Sequence, residues 1–218
     1  MEWDWNVVAS VTPSLLKGLI VTVQATIVGA VLAYVLGLVI AILKMSGNKA
    51  VAFITYWSSE FIRRTPLLVQ LYFLFYVLPD FGIFLSPFVA GVIGLGLHFS
   101  TYTSEVYRAG IENVPKGQWE AARSLNYSAY HTWRFVILPQ AIPPMFPPLA
   151  NYLITMFKET PLLSAITVVE LFNAANIYSN SHYKYLEPIT LVGLFFLLVS
   201  IPAAMIALKI ENKYKPLN

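Results

Sequence analysis

Ionisable residues are scarce in this chain, and some of those inside its apolar tracts cluster beside prolines. Glu60, Arg63, Arg64, Thr65 and Gln70 surround Pro66, and Lys158, Glu159, Thr160 and Ser164 surround Pro161. A proline inside a helix removes one backbone hydrogen bond and crowds the carbonyl four residues earlier. The oxygens of Ile62 and Phe157 are therefore expected to be available. Freed carbonyls beside ionisable groups of both signs suit a zwitterion at membrane depth. Arg63, Arg64 and Lys158 would take its carboxylate and Glu60 or Glu159 its ammonium. Thr65, Gln70, Thr160 and Ser164 would add neutral hydrogen bonds. A structural reading competes: Arg63 or Arg64 pairs with Glu60 or Glu159 only to make burial tolerable, because a bare charge there is costly. A third places Arg63 near the cytoplasmic headgroups.

No residue set points to bond chemistry. The chain has no cysteine, which excludes disulfides, thiolate metal sites and cysteine nucleophiles. His98, His131 and His182 are scattered and read as structural, with no metal site expected. There is no His-Glu-x-x-His, Gly-x-Ser-x-Gly or Gly-x-x-x-x-Gly-Lys-Ser/Thr, so neither catalytic residues nor a phosphate cradle are expected. His98 with Glu105 is the only hint of an intramembrane enzyme. Glu105 and Arg108, three apart, read better as a helix-surface ion pair, and Glu170 as a cap, a stabilising pair or an outer docking residue.

The elements that position these groups follow from composition. Of 218 residues, 57% are hydrophobic and 11% charged, against roughly a quarter charged in an ordinary soluble domain. An all-α integral membrane protein is expected, forming one domain over 1–218. Gly18 to Leu43 carries no charge and exceeds the roughly 20 residues a spanning helix needs. Further spans are expected over about 50–78, 86–107, 147–172 and 189–208. Ser86-Pro87 opens the third, and its Gly91, Gly94 and Gly96 permit close helix packing. The opening "MEWDWNVV" lacks a basic region and reads as an interfacial segment, not a signal peptide. Five spans put the termini on opposite sides. Leaving out Arg63, Arg64 and Lys158, which fall within spans, and with the N-terminus outside, Lys44, Lys49, Arg108, Lys116, Arg123, Arg134, Lys209, Lys213 and Lys215 fall on the cytoplasmic side, and Lys17 and Lys184 fall opposite. Basic residues favour the cytoplasm, so this orientation is preferred.

The loop over about 112–139 is then cytoplasmic. Pro115 can start a short helix through Glu120, Ala121, Ala122 and Arg123. Asn126 fits a left-handed residue after it, and Ser128 can cap a second helix that Pro139 stops. Ala121 and Ala122 would keep one side thin enough for a partner's groove. Glu120, Arg123 and Arg134 would fix its register by charge-assisted hydrogen bonds. An amphipathic helix lying on the membrane surface fits the same residues.

Glu120-Ala121-Ala122, Asn126, Val136 and Leu138-Pro139 resemble the EAA loop of permease subunits of ABC importers. "RRTPLLVQL", "ILPQA", "PPLANYLI" and "KETPLLSAI" are similar to the polar amino-acid uptake permeases of the histidine/glutamine/arginine type. The likeness covers nearly all of the chain from Gly18. It implies a transmembrane subunit in the bacterial cytoplasmic (inner) membrane, crossing it several times and working with a second permease chain as a homo- or heterodimer. An ABC ATPase dimer would bind the ATP and grip Gly117, Glu120, Ala121, Ala122, Arg123, Asn126, Leu138 and Pro139. An extracytoplasmic solute-binding protein would deliver the ligand, and nucleic acid has no part. No cofactor is implied for this chain. Asn126 stands where the family has glycine, and Pro161 where serine is common. The solute would be a polar amino acid or a related zwitterion such as ectoine or an opine. An ion-coupled secondary carrier using Glu159 or Glu60 as a proton site is the alternative.

Overall fold

The computed structural model describes residues 3–214, which are 87% helical without a strand. Lys215 and the first two residues of the N-terminal segment lie outside them. Helix α1 runs from Trp5 to Lys44, with the Asp4 side chain accepting from the Asn6 N–H at 2.9 Å. Its 40 residues make a rod of about 60 Å. The expected first span is only its later part.

The second tract is not one rod. Helix α2 (Lys49–Arg64) and helix α3 (Leu67–Tyr72), which continues through tighter and wider turns to Phe81, meet at 101°. Pro66 dictates the break, because a residue before proline is driven to extended backbone; Thr65 sits at ψ 141°.

Helix α4 (Pro87–Glu112) is the centre of the molecule, packed along α1. The glycines work as expected: a Cβ on Gly96 would lie 2.4 Å from Leu32, and one on Gly37 of α1 would lie 2.0 Å from the Thr103 hydroxyl. At that range Thr103 donates to Ala33 O at 3.0 Å. Burying Ser100, Thr101 and Ser104 is tolerable because each hydroxyl donates to a carbonyl three residues back.

Helix α5 (Lys116–Ser124) follows, then a turn into a helical rod. Helix α6 (Ala129–His131), a π turn (Thr132–Ile137), helix α7 (Leu138–Ala141), a 3₁₀ turn (Pro143–Met145) and helix α8 (Phe146–Glu159) run on into a 3₁₀ stretch ending at Ile166. Pro139 was expected to stop the second helix and does not. The π turn widens the register, so that Leu138 N–H bonds Trp133 O, and the chain absorbs a residue with no N–H to give.

Thr167, at φ 66°, then turns the chain 46° into helix α9 (Leu171–His182). This helix was not anticipated. It leans on the N-terminal part of α1, where Val11 and Leu15 meet Leu171, Ala174 and Ala175. Helix α10 (Leu186–Tyr214) closes the fold.

Among the described residues, two helices, α1 and α10, are long and apolar enough by composition to cross a membrane, or up to four crossings form if each bent pair makes one. Helix α4, expected as the third span, is not among these. Its buried polar residues, Thr103 and Ser104 against α1 among them, dilute its apolarity where no lipid meets it. Large apolar side chains such as Ile20, Val31, Phe61 and Leu198 are exposed instead, as a lipid-facing surface requires. The chain is a membrane protein.

Candidate solute cavity and partner hairpin

The two proline breaks, far apart in sequence, meet at one open cavity of about 640 Å³. The Arg63–Leu68 segment forms one wall, His98 and Tyr102 of α4 a second, and Lys158, Glu159, Pro161 and Leu162 the third. Of the residues singled out from sequence, Arg63, Arg64, Thr65, Lys158 and Glu159 are brought together here.

Glu60 is not a lining residue. It is 2% exposed and pairs with both arginines, accepting from Arg64 Nε at 2.9 Å and also from Arg63 Nη2. The last turn of α2 places all three on one side at spacings of three and four. The structural reading of Glu60 is therefore what the geometry supports. Arg63 also lies 3.9 Å from Glu105, and its carbonyl accepts from the Tyr102 hydroxyl at 3.3 Å. Among the described residues, Lys158 and Glu159 enter no ion pair.

The carbonyls expected to be free are occupied. Ile62 O accepts from Thr65 N–H at 3.3 Å, the Thr65 hydroxyl at 3.0 Å and Gln70 Nε2 at 2.7 Å. Phe157 O accepts from the Thr160 hydroxyl at 2.8 Å. Burial makes an orphaned carbonyl expensive, so the nearest polar side chains close back on it. That same closure removes Gln70, Thr160 and Ser164 from the cavity wall. Gln70 stitches the α2–α3 break, Thr160 is fully buried, and Ser164 donates to Pro161 O at 2.6 Å.

His98 and Tyr102 were missed as lining residues. His98 sits four residues before Tyr102, so the two share one face of α4, with ring centroids 5.3 Å apart. That spacing was readable in the sequence. What it faced was not. The other histidines are elsewhere: His131 Nδ1 bonds the Ser128 hydroxyl at 2.9 Å, and His182 stacks on Tyr178.

Below the cavity, Glu105 gathers cations, accepting from Lys44 Nζ at 2.7 Å and from Arg108 Nε and Nη2 at 2.9 and 2.7 Å. The Glu105–Arg108 pairing follows the sequence reading. Glu170 is the cap of α9, fully buried, accepting from Phe172 N–H at 2.8 Å and Asn173 N–H at 2.7 Å.

The hairpin before the rod is a second feature. Asn126 adopts φ 55° after α5; its N–H donates to Arg123 O at 2.9 Å, and Tyr127 N–H donates to Ala122 O at 3.0 Å. This is the paired bonding of a Schellman end, which the left-handed residue makes possible. Ser128 caps the next helix, accepting from His131 N–H at 3.3 Å. Trp119 meets Trp133 edge-on at 5.2 Å, and Val114, Ile137, Ala141 and Met145 form a small core beneath.

The two alanines do not share an outer side. Ala122 is 2% exposed and packed inward, whereas Glu120, Ala121 and Arg123 are exposed. Adjacent helix positions point about 100° apart, so one of the pair had to turn inward. Glu120, Arg123 and Arg134 form no ion pair among the described residues. Gly117 and Pro139 are exposed and Leu138 is half-buried.

Residues 33–215 match the family of binding-protein-dependent transport system inner membrane components. The chain belongs to that family. It is an ABC importer permease, and the ion-coupled carrier weighed as an alternative is set aside. A probable amino-acid ABC transporter permease protein of Sinorhizobium fredii is 47% identical over 89% of this chain and 84% of its own. The arginine transport system permease protein of Bacillus subtilis is 31% identical over 99% of both chains. Among solved structures, a crystal structure of an amino acid ABC transporter with histidines superposes at a TM-score of 0.91, with 35% identity, covering 98% of the permease and 100% of that chain. An inward-facing methionine ABC transporter, 18% identical at a TM-score of 0.76 and covering 93% and 96% of the two chains, shares the fold.

Proposed function

We propose that this permease carries an amino acid, or an amino-acid-like zwitterion, inward through the cavity at the two proline breaks. The observation that carries this reading is the charge pattern of the walls. Arg63, Arg64 and Lys158 present cations, and Glu159 presents a carboxylate with no partner of its own among the described residues. A zwitterion supplies the counter-charges that Lys158 and Glu159 lack among the described residues. The solute's carboxylate is met by Lys158 and Arg64 and its ammonium by Glu159, while Glu60 keeps Arg63 in place.

Relatives named for amino-acid, arginine and cystine transport support that solute class. The ABC importer neighbours support a second permease chain and an ATPase dimer that handles the ATP. Five crossings are proposed: α1, the bent α2–α3 pair, α4, α8 and α10. The N-terminus lies outside and the hairpin faces the cytoplasm, in the inner membrane. A solute-binding protein delivers the ligand from outside. The ATPase grips the outer side of α5 at Glu120, Ala121 and Arg123, and Gly117, Asn126, Leu138 and Pro139 shape and carry that grip.

The test is Glu159→Gln in the permease–ATPase complex, with equilibrium binding of radiolabelled amino acids measured without binding protein. Affinity should fall about tenfold or more, the loss of one charge-assisted contact, while basal ATPase activity and complex yield hold. Unchanged affinity for every amino acid bound overturns the cavity assignment.

A further inference from the structure

One cavity residue has its chemistry set by a neighbour outside the cavity. Gln70 Nε2 lies 2.7 Å from Ile62 O, 3.1 Å from Thr65 O and 2.8 Å from Thr65 Oγ1. Backbone carbonyls only accept, so the atom among them must be the amide NH₂. The orientation of Gln70 is thereby fixed, and its Oε1 faces His98 Nδ1 at 3.3 Å. An amide oxygen only accepts, so Nδ1 carries the proton. In the neutral ring, the lone pair is then at Nε2.

His98 lines the cavity. Among the described residues its Nε2 has no hydrogen-bond partner, and the ring stands at the cavity wall with 8% of the residue exposed. The α4 face and the ring contacts with Phe99 and Tyr102, at 5.6 and 5.3 Å, hold the imidazole plane. The cavity otherwise presents cations and the Glu159 carboxylate. His98 adds a neutral acceptor fixed in place by a half-buried relay through Gln70.

We infer that His98 is a specificity residue whose Nε2 accepts a hydrogen bond from an N–H group on the side chain of the bound amino acid, favouring guanidinium- or amide-bearing solutes over carboxylate-bearing and aliphatic ones. A carboxylate side chain would set its oxygens against that lone pair, and an aliphatic one would leave it unpaired; both cost affinity. Gln70 is a positioning residue that acts through His98. The inference rests on the cavity being the solute's resting place.

The experiment measures binding of L-arginine, L-glutamine, L-glutamate and L-leucine to the permease–ATPase complex in nanodiscs. Wild type should bind L-arginine or L-glutamine in preference to the other two. His98→Phe, which keeps a ring against Phe99 and Tyr102, should weaken the preferred binding about tenfold and leave the others within about twofold. Equal weakening of all four overturns the inference, as does a wild type preferring L-glutamate or L-leucine. If Glu159→Gln also leaves every affinity unchanged, the cavity assignment itself falls. Should His98→Phe fail to assemble, ¹⁵N NMR of the wild-type imidazole carries the test. Nδ1 protonated, with an unprotonated Nε2 whose resonance moves on adding L-arginine, supports the role; a proton on Nε2 alone overturns it.

Discussion

Substituting Glu105 by glutamine should destabilise the permease, and the structure says which group suffers. Glu105 joins Lys44, Arg63 and Arg108, but these depend on it unequally. Arg63 retains Glu60, and Arg108 retains Glu112 at 2.6 Å. Lys44 has no second carboxylate among the described residues. Its side chain is 4% exposed, and it keeps only the Ser104 hydroxyl at 3.4 Å and the Tyr56 ring at 5.8 Å. Breaking a buried pair from one side costs about 3–5 kcal/mol because the other charge stays buried and unmatched. Glu105 is 24% exposed, so water softens the loss to about 2–3 kcal/mol. Lys44→Met is the milder change, about 1 kcal/mol, because Glu105 keeps its two contacts from Arg108. The double variant should then cost little more than Lys44→Met alone, a coupling of about 2 kcal/mol. SDS-driven unfolding of the purified chain in mixed micelles measures all four corners of this cycle. If the two single effects simply add, or Glu105→Gln is neutral, Lys44 is not held by Glu105 and the reasoning fails.

The remaining predictions concern the hairpin. Glu120→Lys and Ala121→Trp should abolish copurification of the ATPase without lowering membrane insertion, because both positions are exposed. Ala122→Trp should instead lower the yield of folded permease, since its site is 2% exposed. Asn126→Gly should preserve or slightly raise the thermal midpoint, whereas Asn126→Val should lower stability by about 1–2 kcal/mol, because φ 55° is unfavourable for a branched residue.

Local chemistry was legible in the sequence wherever one or two residues settled it. Pro66 breaks its tract, Asn126 takes the left-handed turn, and Ser128 caps the helix beyond, each fixed by backbone sterics or a short-range hydrogen bond. What escaped depended on partners distant in the chain. Helix α9 was hidden because its mixed sequence becomes helical against α1, and its start rests on Glu170, whose carboxylate has the capping role left open among others. Pro139 reads as a stop in isolation, and only a π turn upstream lets the rod continue. Proline geometry correctly removes the usual bond to the Ile62 and Phe157 carbonyls, but it does not leave them free, since the Thr65 and Thr160 N–H groups bond them from three residues on. Their consumption by Gln70, Thr65 and Thr160 is a question of which polar group arrives first, and spacing alone does not answer it.

The continuous rod changes how a pull on the hairpin would travel. From Ala129 to Glu159 the helix runs about 45 Å with no break in its course, so the segment that follows the hairpin also carries Lys158 and Glu159. On the other side, α4 carries His98 and Tyr102 and ends at Glu112, just before α5. Two cavity walls are therefore joined directly to the hairpin. The third, at Arg63 and Arg64, is tied to α4 by the Tyr102 hydroxyl on Arg63 O, the longer Arg63–Glu105 pair, Gln70 on His98, and the core that packs Leu67 and Leu71 with Leu95 and Phe99. Under the proposed coupling, displacing the hairpin moves α4 and α8 together, and the α2–α3 wall follows through those ties. A solute spanning Arg64 and Glu159 would join the α2–α3 wall to α8 and resist their separation.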